Sequence, residues 1–258
     1  MIRILLSGCN GYMGQIVAAI AAENPDITIA AGVDIVSREH VSFPVFADPL
    51  EFVGTADAII DFSSPLALDR LLEYGLANKT PLVLCATGYT TDQTAVIKDA
   101  AKQIPIFRSG NMSLGINLLI DLVKRSCAVL GEAFDIEIVE RHHRRKVDAP
   151  SGTALMLADA AASALPYAPE YVFAREGKSQ PRTSREIGIS SIRGGSVVGE
   201  HEIIFAGLDE VIELRHSAAS RDIFAVGAIK AAKFITGSKE AGLYDMNDVL
   251  ADCSVEVS

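Results

Sequence analysis

The sequence predicts an α/β protein with two domains: an N-terminal doubly wound parallel sheet, then a second α+β domain with a mixed sheet. In the first half, apolar strand patterns alternate with helical patterns, as parallel sheets require. Between residues 187 and 216, three strand patterns follow one another with no helix between them. We expect the first domain to comprise residues 1–112 completed by 222–258, and the second to comprise 113–221.

A glycine-rich turn follows the first strand, residues 2–7, and leads into a helix. Its spacing is GxxGxxG, with Gly8 permitting the tight turn, Gly11 admitting a pyrophosphate to the helix N-terminus and Gly14 allowing close packing of helix and strand. Asn10 stands where the commoner GxGxxG pattern has its middle glycine. The alternative is therefore a tight turn that binds nothing.

The next strand, residues 27–33, ends at Asp34, an acid placed to accept hydrogen bonds from an adenosine ribose. Strand, glycine turn, helix, strand and acid together indicate a Rossmann-type dinucleotide site.

Further strands are predicted at 58–62, 82–86 and 105–107, with helices at 65–78 and 91–103. Ligands of parallel sheets bind at the carboxyl ends of the strands. Topology therefore places two more stretches beside the cofactor: Cys85, Ala86 and Thr87, and then Ser109, Gly110, Asn111 and Met112.

The second domain is predicted to begin with a well-buried helix, 113–130, followed by a strand at 134–140 and a helix at 152–165. Residues 166–183 have the composition of a long loop or lid. Strands follow at 187–193, 197–205 and 211–216, with hairpin turns at Gly194–Gly195 and at 207–209. A final helix, 218–237, is expected to return to the first domain.

Residues 140–154 form a basic strand-to-helix loop. Its four fixed cations in six residues, Arg141, Arg144, Arg145 and Lys146, flank His142 and His143, which titrate near neutral pH. Ser151 is a plausible N-cap, and the N–H groups of Gly152 and Thr153 open a helix that suits a carboxylate. The pattern favours an anionic substrate that must be protonated; the alternative is a solvated basic loop.

Composition narrows the function further. The net charge of −10 disfavours nucleic acid, and no apolar run reaches the length of a membrane span. The cysteines are scattered without a CxxC pair, so neither a disulfide framework nor a zinc site is expected. We expect the protein to lie in the reducing cytoplasm. No metal is predicted at His142 and His143, because adjacent residues on extended backbone point in opposite directions. His201 and His216, in strand patterns, are interpreted as structural.

The stretch Glu140-x-His-His-x-x-Lys-x-Asp-x-Pro-Ser-Gly-Thr-Ala154 resembles the signature of the 4-hydroxy-tetrahydrodipicolinate (dihydrodipicolinate) reductase family. Further motifs of that family are Gly8-x-x-Gly-x-Met-Gly14, Ala86-Thr-Gly-Tyr89, Asn111-Met-Ser-Leu-Gly-Ile-Asn117 and Arg193-Gly-Gly-x-Val-Val-Gly-Glu-His201. The resemblance implies hydride transfer from NAD(P)H to a cyclic dicarboxylate on the route to diaminopimelate and lysine, by a homotetramer joined through the second domains.

The resemblance also implies roles for individual residues. His142 becomes the proton donor or acceptor and Lys146 the second proton-donating group. His143, Ser151, Gly152 and Thr153 are implied to bind the substrate. The cofactor is implied to lie against Gly8, Cys9, Asn10, Gly11, Tyr12, Met13, Asp34, Cys85, Ala86, Thr87, Ser109, Gly110, Asn111 and Met112.

The chain departs from the family where NADPH is recognised. Tyr12 and Ile35 stand where family members that use NADPH well often carry arginine, and the Asp34 carboxylate repels a 2′-phosphate. Arg38 is near enough in sequence to compensate in part. We expect NADH to be preferred and NADPH tolerated.

Two other functions stay open at this point. The chain can be a reductase of another imino or keto acid, or a dinucleotide-binding sensor without catalysis. A sensor predicts cofactor binding without turnover and a dispensable His142 and Lys146.

Overall fold

The structure is a computed structural model that describes residues 1–36, 42–173, 175–177, 181–237 and 239–255. It divides into two compact units: Met1–Leu114 with Asp222–Ser258, and Gly115–Arg221. The first contains a parallel sheet with helices on both faces and the second a mixed sheet, which confirms the predicted fold class. The binding roles assigned to the two parts stay predictions.

The strands along the chain are β1 (Ile2–Ser7), β2 (Ile27–Val33), β3 (Val45–Phe46), β4 (Ala58–Asp61), β5 (Leu82–Leu84), β6 (Pro105–Arg108), β7 (Asp135–His142), β8 (Glu170–Val172), β9 (Glu186–Arg193), β10 (Gly199–Ala206), β11 (Val211–Ala218) and β12 (Gly242–Tyr244). The α-helices are α1 (Tyr12–Glu23), α2 (Leu68–Asn78), α3 (Thr91–Ala100), α4 (Leu114–Leu130), α5 (Gly152–Ala164), α6 (Asp222–Thr236) and α7 (Met246–Val255). Short 3₁₀ turns lie at Pro49–Glu51, Pro65–Ala67 and Gly131–Ala133.

The sheet of the first unit has the order β12-β6-β5-β4-β1-β2-β3, and all its paired strands are parallel. Its strands are apolar on both sides, because one core cluster includes α1, α6 and α7 residues and a second includes α2 and α3 residues. The chain order reverses between β1 and β4, the place where open α/β sheets bind ligands. The glycine-rich turn follows β1 at this point.

Two edge strands of this sheet and one helix of the same unit were missed in the sequence. The two-residue strand β3 pairs with β2, and β12 extends the opposite edge by pairing with β6. The C-terminal tail then continues into α7, whose Met246 and Val249 are buried in the core. Strands of two or three residues are too short to show a period, so no pattern indicated them.

The sheet of the second unit has the order β11-β10-β7-β9-β8. The hairpin predicted at Gly194–Gly195 is wrong, because β7 lies between β9 and β10, parallel to the first and antiparallel to the second. The hairpin predicted at 207–209 is confirmed by the antiparallel pairing of β10 with β11.

Two other predictions in this unit need correction. The stretch 166–183, expected to be a loop or lid, contains the strand β8, which pairs with β9; residues 174 and 178–180 lie outside the described part, and the lid stays a prediction. The final helix α6 begins at Asp222 rather than at 218, because residues up to Ala218 complete β11.

The central strand β7 alternates strictly between half-buried and buried positions. Successive strand residues point to opposite faces of a sheet. Ile136 and Ile138 therefore pack in the core with α4 and α5 residues, and Glu140 and His142 continue along the same buried face. Glu140 and His142 thus occupy buried positions of β7 at which the alternating pattern predicts apolar side chains.

Candidate active site

The Glu140 carboxylate lies at the centre of a polar cluster in the second unit. Its side chain has no exposed surface. Arg193 binds it in a bidentate arrangement, with Nη1 donating to Oε2 at 2.8 Å and Nη2 donating to Oε1 at 2.7 Å. The backbone N–H of Ser151 also donates to Oε1 at 3.1 Å. Burial raises the pKa of Glu140, but hydrogen bonds from Arg193, Ser191 and His142 outweigh it and lower the pKa to about 2.

His142 shares this cluster through one ring nitrogen. Its Nδ1 lies 2.5 Å from Oε2 of Glu140. With its pKa lowered, Glu140 is ionised near neutral pH, and an ionised carboxylate only accepts hydrogen bonds. Nδ1 is therefore the nitrogen that carries a proton in this contact. Burial lowers the pKa of His142 below its usual value, and the Glu140 carboxylate opposes that shift. Nε2 is therefore the ring atom left to exchange a proton with a ligand.

A second histidine packs against the first. The ring of His201 stands edge-on to the ring of His142, with the centroids 5.2 Å apart and an angle of 73° between the planes. Nε2 of His201 lies 3.0 Å from Oγ of Ser151. Burial, together with repulsion from His142, lowers the pKa of His201 to about 4, so this ring is neutral at pH 7. Its partners support the interpretation of His201 as structural.

Ser151 joins this cluster to the start of α5. Its Oγ accepts the N–H of Ala154 at 3.2 Å, which confirms the predicted N-cap. Gly152 follows at the first helical position, exposed, and a Cβ built there meets no atom within 4 Å. The helix start is thus open to a ligand on the side of Gly152, as anion binding by backbone N–H groups requires.

The basic loop is fixed at several points. Gly194 donates its N–H to the carbonyl of His142 at 2.9 Å, and Lys146 donates its N–H to the carbonyl of His143 at 3.1 Å. The Lys146 ammonium lies 2.9 Å from a carboxylate oxygen of Asp148, whose pKa it lowers. Lys146 also acts electrostatically on His142. His143 is half-buried, and in the described part of the chain its buried Nδ1 has no hydrogen-bond partner.

The four cations of this loop do not all lie on one face of the sheet; that the loop binds an anionic substrate stays a prediction. Arg141 alternates with His142 on the strand and points to the other face of the sheet. There it forms ion pairs with Glu200 and Glu202, at 3.4 and 3.2 Å. Arg144 and Arg145 are exposed.

The glycine-rich turn in the first unit has no room for a side chain at two of its glycines. Gly8 has a φ of +74°, and a Cβ there would lie 2.8 Å from the backbone of Phe62. A Cβ at Gly14 would lie 2.2 Å from the carbonyl oxygen of Gly8. Cys9 and Asn10 are buried, and Tyr12 is 62% exposed. Both Gly8 and Gly14 thus stand where a side chain is excluded.

Asp34 is tied to this turn. Its Oδ2 accepts the N–H of Asn10 at 2.9 Å, and its Oδ1 accepts the N–H of Val36 at 3.0 Å. The side-chain amide of Asn10 donates to the carbonyl of Val36. Ile35 is 91% exposed beside the acid, whereas Arg38 lies outside the described residues.

The other two predicted cofactor stretches lie at the same edge of this sheet. Cys85, Ala86 and Thr87 follow β5, and Ser109, Gly110, Asn111 and Met112 follow β6. The stretch after β6 is internally braced, because Oγ of Ser109 donates to the carbonyl of Asn111 at 2.9 Å. Ser113 in turn donates its N–H to the Asn111 side chain at 2.9 Å.

Met112 anchors the end of this stretch in the first unit. Its side chain is buried in the core. Its carbonyl oxygen lies against α6, where a Cβ at Gly227 would approach it to 1.7 Å. The lack of a side chain at Gly227 therefore lets the helix pack directly on the backbone that follows β6.

Known protein-family models cover nearly the whole chain. Two family models match the chain, one described as dihydrodipicolinate reductase, N-terminus, over residues 2–112, and one as dihydrodipicolinate reductase, C-terminus, over residues 115–250. This chain belongs to the dihydrodipicolinate reductase family.

Curated relatives support the assignment to the dihydrodipicolinate reductase family. The 4-hydroxy-tetrahydrodipicolinate reductase of Caldanaerobacter subterraneus subsp. tengcongensis is 51% identical over 250 residues, covering 97% of this chain and 98% of the relative. The enzyme of the same name from Clostridium tetani is 48% identical, covering 97% of each.

Among solved structures, the dipicolinate-bound dihydrodipicolinate reductase from Paenisporosarcina sp. TG-14 aligns with a TM-score of 0.80 at 24% identity, covering 95% of this chain and 97% of that one. At this identity the likeness supports the fold alone.

Among the described residues, no helix is both long and apolar enough to cross a membrane.

Sequence reasoning missed the parts played by Glu140 and Arg193. The spacing of Glu140 and His142, two residues apart on an alternating strand, was a usable signal that they share a face. Arg193 gave no such signal, because it reaches Glu140 only through the parallel pairing of β9 with β7, in which it lies beside His142.

Proposed function

We propose that this chain is an NAD(P)H-dependent 4-hydroxy-tetrahydrodipicolinate reductase, which transfers a hydride to a cyclic dicarboxylate to give tetrahydrodipicolinate. The observation that carries the proposal is the cluster of Glu140, His142 and Lys146 beside the open N-terminus of α5. It stands in a chain that matches both family models.

The residues of the second unit have distinct parts in this reaction. The N–H groups at Gly152 and Thr153, with His143, bind the substrate carboxylates. His142 supplies a proton from Nε2 as electron density builds up on the substrate, and Lys146 stabilises that charge as the second proton-donating group. A bound carboxylate also favours the imidazolium form of His142, which burial alone disfavours.

The first unit is proposed to hold the dinucleotide, which supplies the hydride when bound. The exclusion of side chains at Gly8 and Gly14 fits a pyrophosphate at the start of α1. Asp34, already oriented by the N–H groups of Asn10 and Val36, is proposed to accept from the ribose. Cys85, Ala86, Thr87 and residues 109–112 would complete the site.

We propose that NADH is preferred and NADPH tolerated. The carboxylate at Asp34 repels a 2′-phosphate. Two exposed side chains, Ile35 next to it in the sequence and Tyr12 at the start of α1, carry no positive charge to offset that repulsion.

We also propose a homotetramer assembled through the sheet of the second unit. The face of that sheet opposite its helices carries the half-buried Val139 and Ile204 among the ion pairs of Arg141. Sedimentation velocity checks this, with four chains expected and a monomer contradicting it.

We also propose that the protein is cytoplasmic, which its free cysteines fit.

The test is the loss of NADH absorbance with substrate freshly generated by a dihydrodipicolinate synthase. Wild type is compared with His142→Gln and Lys146→Ala, for which kcat is expected to fall by about 100-fold or more. Lys102→Ala is the matched control for Lys146→Ala, because the exposed Lys102 side chain pairs with Asp99 in the first unit, and it should keep wild-type turnover.

Each outcome separates the alternatives. Turnover that survives in both variants would retain the reaction and move the proton donor elsewhere. Tight NADH binding without turnover of this substrate would support a sensor, unless another imino or keto acid is reduced in its place.

A further inference from the structure

We infer that Glu140 is a positioning residue that fixes the tautomer of His142, so that Nδ1 always carries a proton and Nε2 is the atom that exchanges one with the substrate. The inference rests on the proposed function and adds a residue to it. Its basis is the 2.5 Å contact between Nδ1 and a carboxylate that Arg193 and the Ser151 N–H hold from the other side.

The carboxylate can do this because its other lone pairs are occupied. Both oxygens of Glu140 accept from the guanidinium of Arg193, and Oε1 also accepts from the Ser151 N–H. A carboxylate with these donors cannot rotate away without leaving a buried charge unpaired. Arg193 is held in turn, since its Nη2 also donates to the carbonyl of Asp148 at 2.6 Å.

The proton balance follows from this arrangement. The imidazolium of His142 has an N–H at both nitrogens, and transfer of the Nε2 proton to the substrate leaves the neutral ring with Nδ1–H still directed at Glu140. The other neutral tautomer would aim the lone pair of Nδ1 at a carboxylate oxygen 2.5 Å away, so it is disfavoured. After each turnover, Nε2 is therefore left without a proton and takes up a new one from solvent.

Packing leaves Nε2 on the side away from Glu140. The ring of His201 covers His142 edge-on, and the backbone at Gly199 lies beside Nε2. Glu140 favours the imidazolium of His142, whereas Lys146, Arg193 and His201 disfavour it. His216, which pairs with His201 across β10 and β11, in turn lowers the pKa of His201. Removal of the Glu140 charge should therefore move the titration of His142 to lower pH.

The test is Glu140→Gln, which keeps the shape and removes the charge. The Ser151 N–H and Nη2 of Arg193 both donate at the Oε1 position, so the amide oxygen takes that place. The amide NH₂ then takes the place of Oε2 and donates to Nδ1, while Nη1 of Arg193 keeps only the carbonyl of Ile192 as acceptor. We expect ¹⁵N-detected NMR of the protein without substrate to show His142 as the Nδ1–H tautomer in wild type and the Nε2–H tautomer in the variant. We also expect kcat to fall by about 10- to 100-fold, with KM changed far less.

A pH profile adds a readout that a merely structural role would not move. The decline of kcat as His142 loses its proton should shift to lower pH by about 1 unit or more in Glu140→Gln. Glu202→Gln is the matched control, since it removes a carboxylate paired with Arg141 on the opposite face of the same sheet. It should leave both the tautomer and the profile unchanged.

The double variant Glu140→Gln/Arg193→Met serves if the single variant does not fold, because it removes both partners of the buried pair. The Nδ1–H tautomer persisting in either folded variant, or an unmoved pH profile in Glu140→Gln, would overturn the inference. Because the tautomer is measured without substrate, this result is independent of whether wild type reduces the proposed dicarboxylate.

Discussion

A Cβ built at Gly199 would lie 3.1 Å from Nε2 of His142. Gly199 is the first residue of β10 and is buried, so the absence of a side chain there leaves space on the side of the ring where the proton is exchanged. Any larger residue must push the ring, which Glu140 holds by its other nitrogen.

Gly199→Ala is therefore expected to lower kcat/KM by about 10-fold or more, since a small misplacement of a catalytic group is costly. Its melting temperature should change little, because the ring can give by a few tenths of an ångström. The control is Gly194→Ala, where a Cβ meets no atom within 4 Å. Steady-state kinetics of the two variants check the prediction, and equal activity in both would contradict it.

The cap of α5 gives a second prediction, because Ser151 has two partners. Its Oγ accepts from Ala154 and lies 3.0 Å from Nε2 of His201. Ser151→Ala should lower the free energy of unfolding by about 1 kcal/mol for the lost cap, and further because a buried imidazole nitrogen loses its partner.

Thr90→Ala is the matched control, because Thr90 caps α3 in the first unit through a capping box. Both variants should be destabilised in urea unfolding, but only Ser151→Ala should raise KM for the dicarboxylate. An unchanged KM in Ser151→Ala would contradict the prediction, because it would mean that the Ser151 cap stabilises α5 without contributing to substrate binding.

The fold could be predicted in outline because long apolar periods and the glycine-rich turn are local signals. The candidate site could be predicted only in part. The signature around His142 and Lys146 was readable, and so was the Ser151 cap. The clamp of Arg193 on Glu140 was not, because it depends on the pairing of β9 with β7, two strands far apart in the sequence. The glycines at 194 and 195 favoured a local hairpin instead.

Burial of His201 makes a third prediction, on pH. Its folded-state pKa of about 4 lies below the value of about 6.5 for an exposed histidine. The unfolded chain thus binds the proton more readily than the folded one. The contribution of the neutral His201 ring to the free energy of unfolding is therefore fully present above pH 6.5 and is lost as the pH falls towards 4. NMR titration of the His201 ring should show no protonation at about pH 6.

The stability effect is isolated with His201→Gln, which cannot titrate. Between about pH 6.5 and about pH 4, the free energy of unfolding of wild type should fall more steeply than that of the variant. Parallel curves would show that His201 does not take up a proton on unfolding in this range, against the prediction.

The last prediction concerns the choice of cofactor at Asp34. Its two oxygens accept from the N–H groups of Asn10 and Val36, so the carboxylate is held at the end of β2, where a ribose is proposed to bind. Wild type should therefore show a higher kcat/KM with NADH than with NADPH. A tenfold advantage for NADPH would contradict this.

Ile35→Arg adds a cation at a position that is 91% exposed and adjacent to the acid. Because a guanidinium pairs with a 2′-phosphate, the ratio of kcat/KM for NADPH to that for NADH should rise by about 10-fold, equivalent to about 1.4 kcal/mol. Val53→Arg is the control, since Val53 is 98% exposed and stands in the loop before β4, away from Asp34 in sequence. A rise of the same size in Val53→Arg would mean that general charge, rather than a contact beside Asp34, attracts the phosphate.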